Sequence, residues 1–170
     1  MDRADADQAQ LKAEPAENLE RLFRDLAPDL WRAVFAFAAG RPAVADDAVA
    51  EAFARALERP DGIRDPAAWL YRTAFRIAAA ELRRERTEPR PWASPSQSAT
   101  LGPGLGALLP ALRQLSQAQR AAVVLHYEAD LPVKDVARLM GTSVAAVKVH
   151  LFRGRRRLRE LLGAEEADDD

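Results

Sequence analysis

Two groups of residues have the types and spacing to handle nucleic acid. The first is Lys148, His150, Arg153, Arg155, Arg156, Arg157 and Arg159. Guanidinium forks of this kind bond phosphate oxygens and the O6/N7 edge of guanine. The second is Trp69 and Tyr71, followed by Arg72, Arg76, Arg83, Arg84 and Arg86. Rings beside arginines suit unpaired nucleic acid, because bases can stack on the rings while charge follows the backbone. Each group also fits a plainer description: a solvated basic face in the first case, a core Trp with surface arginines in the second. The elements around each group decide between them.

Other chemistry has little to work with. There is no cysteine, hence no disulfide, thiolate zinc site or thiol nucleophile. The two histidines, His126 and His150, are too far apart in sequence to suggest a metal site. No Ser/His/Asp arrangement, acidic catalytic cluster or Gly-rich phosphate loop occurs. The sequence therefore predicts no catalytic residues, no metal and no cofactor. No apolar run approaches the ~20 residues of a membrane span, and nothing signals secretion. A cytoplasmic protein without membrane insertion is expected.

The basic run sits in a recognisable frame. Val133, Val136, Ala137 and Met140 recur at helical spacing, Gly141 can make the turn, and Ser143 is placed to cap a second helix. That helix has an apolar stripe of Val144, Val147, Leu151, Leu158 and Leu161, with Gly154 in the same phase. Two short helices, a tight turn and small residues at the crossing describe a helix-turn-helix. Upstream, Ser116 and Gln119 form a capping-box pattern ahead of a helix through Tyr127.

The rest of the chain also reads as helical. Residues 1–17 are polar and acidic and read as a disordered arm. One helix is expected from Asn18, a second from Pro28 to Gly40, and a third with Asp46 and Asp47 in its first turn. The stretch 60–66 is a loop by turn chemistry, and Pro66 starts a fourth helix reaching about Arg86. Strand signals are absent. The fold expected is all-α: two small helical domains, 18–86 and 107–162, with a Pro/Gly-rich flexible linker over 87–106 and an acidic tail over 163–170. Charge follows this division. The net charge is −2 over 1–86, +6 over 107–162 and −5 over 163–170, as expected if the second domain meets a polyanion.

Three stretches in order resemble the extracytoplasmic-function (group IV) sigma factors of bacterial RNA polymerase, sigma-70 class, over roughly residues 18–162. ADDAVAEAFARAL (45–57) is similar to the family's polymerase-clamp-binding segment. WLYRTAFRIAAAELRRER (69–86) resembles its promoter-melting and −10-reading helix, and LPVKDVARLMGTSVAAVKVHLFRGRRRLREL (131–161) its −35-reading region. The resemblance implies an alternative sigma factor, not an enzyme, that recognises −35 and −10 elements and assists −10 opening. It implies core polymerase contacts at Asp46, Asp47, Glu51 and Phe53. It assigns −10 DNA to Asp61, Ile63, Arg64, Trp69, Arg72, Arg76, Arg83 and Arg84, and −35 DNA to Ser143, Lys148, Val149, His150, Phe152, Arg153, Arg156 and Arg157. Implied partners are core RNA polymerase (the beta-prime clamp and beta flap), promoter DNA and an anti-sigma factor. Val149 and His150 stand where the family often has Ser and Arg, and Arg76 stands near a common Asn. VKVH also occurs in LuxR-type output domains, so a duplex-binding regulator is the competing reading. Its receiver domain would need alternating strands, which 1–86 does not offer.

Overall fold

In the computed structural model the described residues are 3–59, 63–87 and 104–165; residues 1–2, 60–62, 88–103 (within the expected linker) and 166–170 lie outside them. Among the described residues the structure is helical and has no strand. Three helices make the first module: α1 (Arg3–Phe37), α2 (Pro42–Leu57) and α3 (Pro66–Thr87). The second holds α4 (Leu105–Arg113), α5 (Gln117–Val123), a π-helical turn (Val124–Glu128), α6 (Val133–Met140) and α7 (Val144–Glu165).

α1 departs from the sequence reading at both ends of its expected range. Its backbone is helical from Arg3, in place of an arm, and it runs through Pro28, in place of a break. Leu22, Leu26, Leu30 and Val34 keep one helical phase across Pro28 and pack on the core. Burial of that continuous stripe outweighs the ~3 kcal/mol that an interior proline costs. Residues 3–14 include four Ala and two Gln, which favour helix, and α1 also runs through a second proline, Pro15. The stop comes at Ala39 and Gly40, both left-handed (φ 58° and 84°), where the Gly40 amide donates to the Phe35 carbonyl at 2.9 Å. Pro42 then opens α2, so Asp46 and Asp47 lie one turn later than expected.

α3 starts as the turn chemistry predicts. The Ala68 amide donates to Asp65 Oδ1 at 3.1 Å, and Pro66 needs no partner for a missing N–H. In the second module the capping box is formed: Gln119 N donates to Ser116 Oγ (3.3 Å), and Ser116 N to Gln119 Oε1 (3.2 Å). His126 Nδ1 donates to the Leu131 carbonyl at 2.8 Å, which fixes the ring's tautomer and ties down the turn before α6. His126 is thus a structural residue. Gly141 takes φ 64° between α6 and α7, and Ser143 Oγ caps α7 by accepting from Ala146 N at 3.1 Å.

The modules touch through arginines. The buried Arg120 of α5 donates from Nε to the Phe37 carbonyl (2.6 Å) and from Nη1 to the carbonyls of Leu112 and Leu115 (3.2 Å each). Arg113 Nε donates to the Ala39 carbonyl at 3.0 Å, and Arg32 pairs with Glu128 at 3.1 Å. Phe37 and Ala39 sit at the C-terminal end of α1, where free carbonyls and the helix dipole favour a cation.

Candidate nucleic-acid interface

α7 presents its charge as the sequence suggests, but with apolar residues in the middle of it. Val147, Leu151, Gly154 and Leu158 are buried against α5 and α6. Gly154 has to be small: a Cβ there would lie 2.9 Å from Val123 Cγ2. The opposite ridge carries Val149 (45% exposed), Phe152 (55% exposed) and Arg153, with Lys148 and the half-buried His150 to either side. Arg156 and Arg157 lie further along and are already engaged. Both pair with Glu160 (3.6 and 3.4 Å), and Arg157 also donates to Gln114 at 3.1 Å. Arg155 reaches Tyr127 Oη at 3.2 Å. The N-terminal half of the ridge is therefore the open part, and its far half is braced by ion pairs and hydrogen bonds within its own module. Ser143, grouped with the DNA contacts in the sequence reading, spends its hydroxyl on the cap.

The α3 group divides. Tyr71 and Phe75 are buried, and Phe75 packs 4.9 Å from the Phe37 ring. Burial, with Asp29 and Glu128 nearby, pushes the Tyr71 phenol up to about 12, so it stays protonated. Trp69 is half-buried against the core, as is Ile63, while Arg64 is exposed. Arg72, Arg76 and Arg83 fall on one line of α3 and border a cleft of about 470 Å³ whose far side includes Arg138 and Met140 of α6. Arg138 is paired with Asp135 at 2.6 Å, but Arg72 Nε is buried without a hydrogen-bond partner. Arginines gathered at one cleft make it attractive to an anion. Arg84 points elsewhere and pairs with Glu81 at 3.4 Å. Asp61 lies outside the described residues.

The acidic face of α2 needs one correction. Phe53, grouped from the sequence with Asp46, Asp47 and Glu51 as a surface contact, is 4% exposed and packs edge-on against Phe23 at 4.6 Å. It shares the apolar stripe of Val49 and Ala56, whose burial holds α2 on α1 and α3. Asp46 accepts from Trp31 Nε1 at 2.7 Å, and Glu51 pairs with Arg55 at 2.8 Å. Asp47 is exposed, and the large apolar residue exposed on α2 is Leu57.

Two residues escaped the sequence reading. Leu57 ends the apolar stripe of α2 in sequence, yet it is exposed. Arg120 was not singled out, although its place beside Ala121 and Val124 was a signal that it lies in the buried phase.

Two family models match this architecture in order. One, described as Sigma-70 region 2, matches residues 22–88, and another, described as Sigma-70, region 4, matches residues 105–158. The chain is 29% identical over 181 residues to the ECF RNA polymerase sigma factor BldN of Streptomyces coelicolor, an alignment taking in 94% of this chain and 68% of BldN. It is 33% identical over 134 residues to the probable ECF RNA polymerase sigma factor SigI of Mycobacterium tuberculosis, covering 69% of this chain and 46% of SigI. The chain thus spans under half of that relative's length. Among solved structures, the sigma factor RpoE in complex with the anti-sigma factor NepR from Bartonella quintana is similar in fold. Its TM-score is 0.71 at 23% identity, over 86% of this chain and 98% of that one.

Proposed function

The chain belongs to the extracytoplasmic-function sigma factors of the sigma-70 class, and we propose that it binds core RNA polymerase and directs initiation at promoters it selects itself. The observation that carries this is the order of the two family matches: region 2 over α1–α3, then region 4 over α4–α7. A LuxR-type regulator would need a receiver where the region 2 match lies, and that reading is not favoured.

The working units in this reading are residues 18–86 and 107–162. α7 enters the major groove of the −35 element, with Lys148, Val149, Phe152 and Arg153 toward base edges and Arg156 and Arg157 supplying charge near the backbone. The stretch 60–66, with Trp69, Arg72, Arg76 and Arg83, favours an extruded −10 base over a paired one. Asp47 and Glu51 set register on the polymerase clamp, and Leu57 supplies the exposed apolar contact that the buried Phe53 cannot. The protein is an initiation factor and not an enzyme; catalysis belongs to the polymerase. Among the described residues no helix is long and apolar enough to cross a membrane, and we place the protein in the cytoplasm with its polymerase. An anti-sigma partner belongs to the proposal, by analogy with RpoE, whose solved structure holds NepR.

A gel shift and an in vitro transcription assay, each with and without core polymerase, test this reading. Promoter-specific transcripts and tight promoter binding that both require core polymerase are expected. Tight sequence-specific binding by the chain alone, with no initiation when core is added, would favour a duplex-binding regulator.

A further inference from the structure

Val149 and Phe152 pose a question that charge does not answer. They lie on the side of α7 opposite its buried stripe, and Phe152 and Arg153 flank Val149 by about 60° and 40° around the helix axis. Single exposed apolar residues are ordinary. Here two large ones share one ridge, in a helix whose other exposed residues are largely charged, within a module of net charge +6. A surface complementary to this ridge must be polyanionic yet present small apolar knobs. The major groove of duplex DNA is such a surface, and the thymine 5-methyl is the apolar group its base pairs display. Neither side chain can donate or accept a hydrogen bond, so neither can read the polar edges of the other bases.

We propose that Val149 and Phe152 are specificity determinants that select thymine methyl groups next to a guanine held by Arg153. The proposal rests on the reading of α7 as the −35 helix and deepens it. Conformational economy supports it: a helical valine has one strongly preferred rotamer, so little freedom is lost when it meets a methyl. Spacing supports it too. Residues 149 and 152–153 are about 4.5–6 Å apart along the axis, against about 3.4 Å per base step. The methyls and the guanine should therefore fall on adjacent or next-but-one base pairs.

The experiment uses holoenzyme assembled from the full chain and core RNA polymerase. Selection from duplexes randomised over the −35 region gives the preferred sequence, and each thymine in it is then replaced by deoxyuridine. That change removes the methyl and leaves the hydrogen-bonding edge intact. At one or two positions next to the preferred guanine, binding should weaken about fourfold, the equivalent of one buried methyl at ~0.8 kcal/mol. V149A and F152A should each abolish the thymine–deoxyuridine difference at one position while melting like the parent, as befits exposed sites. Equal binding of thymine and deoxyuridine, or variants that keep the difference, overturns the proposal. If the variants instead weaken assembly with core polymerase and methyl sensitivity is absent, the ridge meets protein and the proposal is also overturned. Holoenzyme that discriminates −35 sequences but ignores the methyl defeats this inference alone. Holoenzyme with no −35 preference defeats the reading of α7 as well.

Discussion

α3 and α7 are both 22 residues long and each carries five arginines, with three aromatic residues in α3 and one, Phe152, in α7. They share length and arginine count, and in space they are opposites. In α7 the aromatic Phe152 lies on the outer ridge beside Arg153. In α3 Tyr71 and Phe75 are core, Trp69 is half-buried, and Arg72, Arg76 and Arg83 face a cleft shared with α6. What separates the two is phase. Phe152 is out of register with Val147, Leu151 and Leu158, whereas Tyr71 and Phe75 fall in register with Ala74, Ala78 and Leu82. A ring near an arginine thus lies on an outer surface when it is out of step with the apolar stripe, and in the core when it is in step.

The largest effect that follows is on stability. Phe75→Ala should cost about 3–5 kcal/mol, the usual range for a buried ring, while Phe152→Ala should change stability by no more than about 0.5 kcal/mol. Denaturant melts of the two variants test this, and equal losses would break the contrast between the helices. Arg120→Ala acts on the contact between the two modules that carry these helices. It leaves the Phe37, Leu112 and Leu115 carbonyls short of a buried donor, at about 1–3 kcal/mol. It should also raise hydrogen exchange at the end of α1, and unchanged exchange there would show that the modules do not depend on this contact.

Next comes DNA. Arg153→Ala should cost about 1–3 kcal/mol and flatten preference at one −35 position. Arg157→Ala should weaken all sequences alike and lower the salt slope by less than about one ion, because its guanidinium is partly committed to Gln114 and Glu160. Salt titrations on matched and mismatched duplexes with holoenzyme separate the two outcomes. The smallest effect concerns Tyr71. Its phenol pKa is raised from 10.0 to about 12 by burial, so between those values the folded chain holds a proton that the unfolded chain releases. Stability should fall as pH rises through that window. Tyr71→Phe should remove that part of the fall and leave melts at neutral pH near those of the parent; an unaltered alkaline slope would count against the assignment.

Much of this was legible beforehand because local rules and tertiary packing agree. The capping box at Ser116, the turn at Gly141 and the Pro66 start of α3 depend on nearest neighbours, and the structure forms them where the residue types demand. The features that the sequence alone did not reveal fall where long-range packing decides. Pro28 is tolerated because the stripe on either side of it is buried as one. Phe53 is in the core because Phe23, thirty positions away, closes over it. Arg120 is buried because α1 ends against α5 and offers it a carbonyl. The partners of Phe53 and Arg120 lie on another helix and cannot be read from a window of one.

The most direct measurement is transcription with core RNA polymerase from one promoter in two forms, fully duplex and melted in advance around −10, comparing Arg76→Ala with Arg153→Ala. Arg76→Ala should lose transcription on the duplex and recover it on the melted template, since α3 is assigned to strand opening. Arg153→Ala should lose −35 preference on both. Equal losses by the two variants on both templates would contradict the division of labour between α3 and α7.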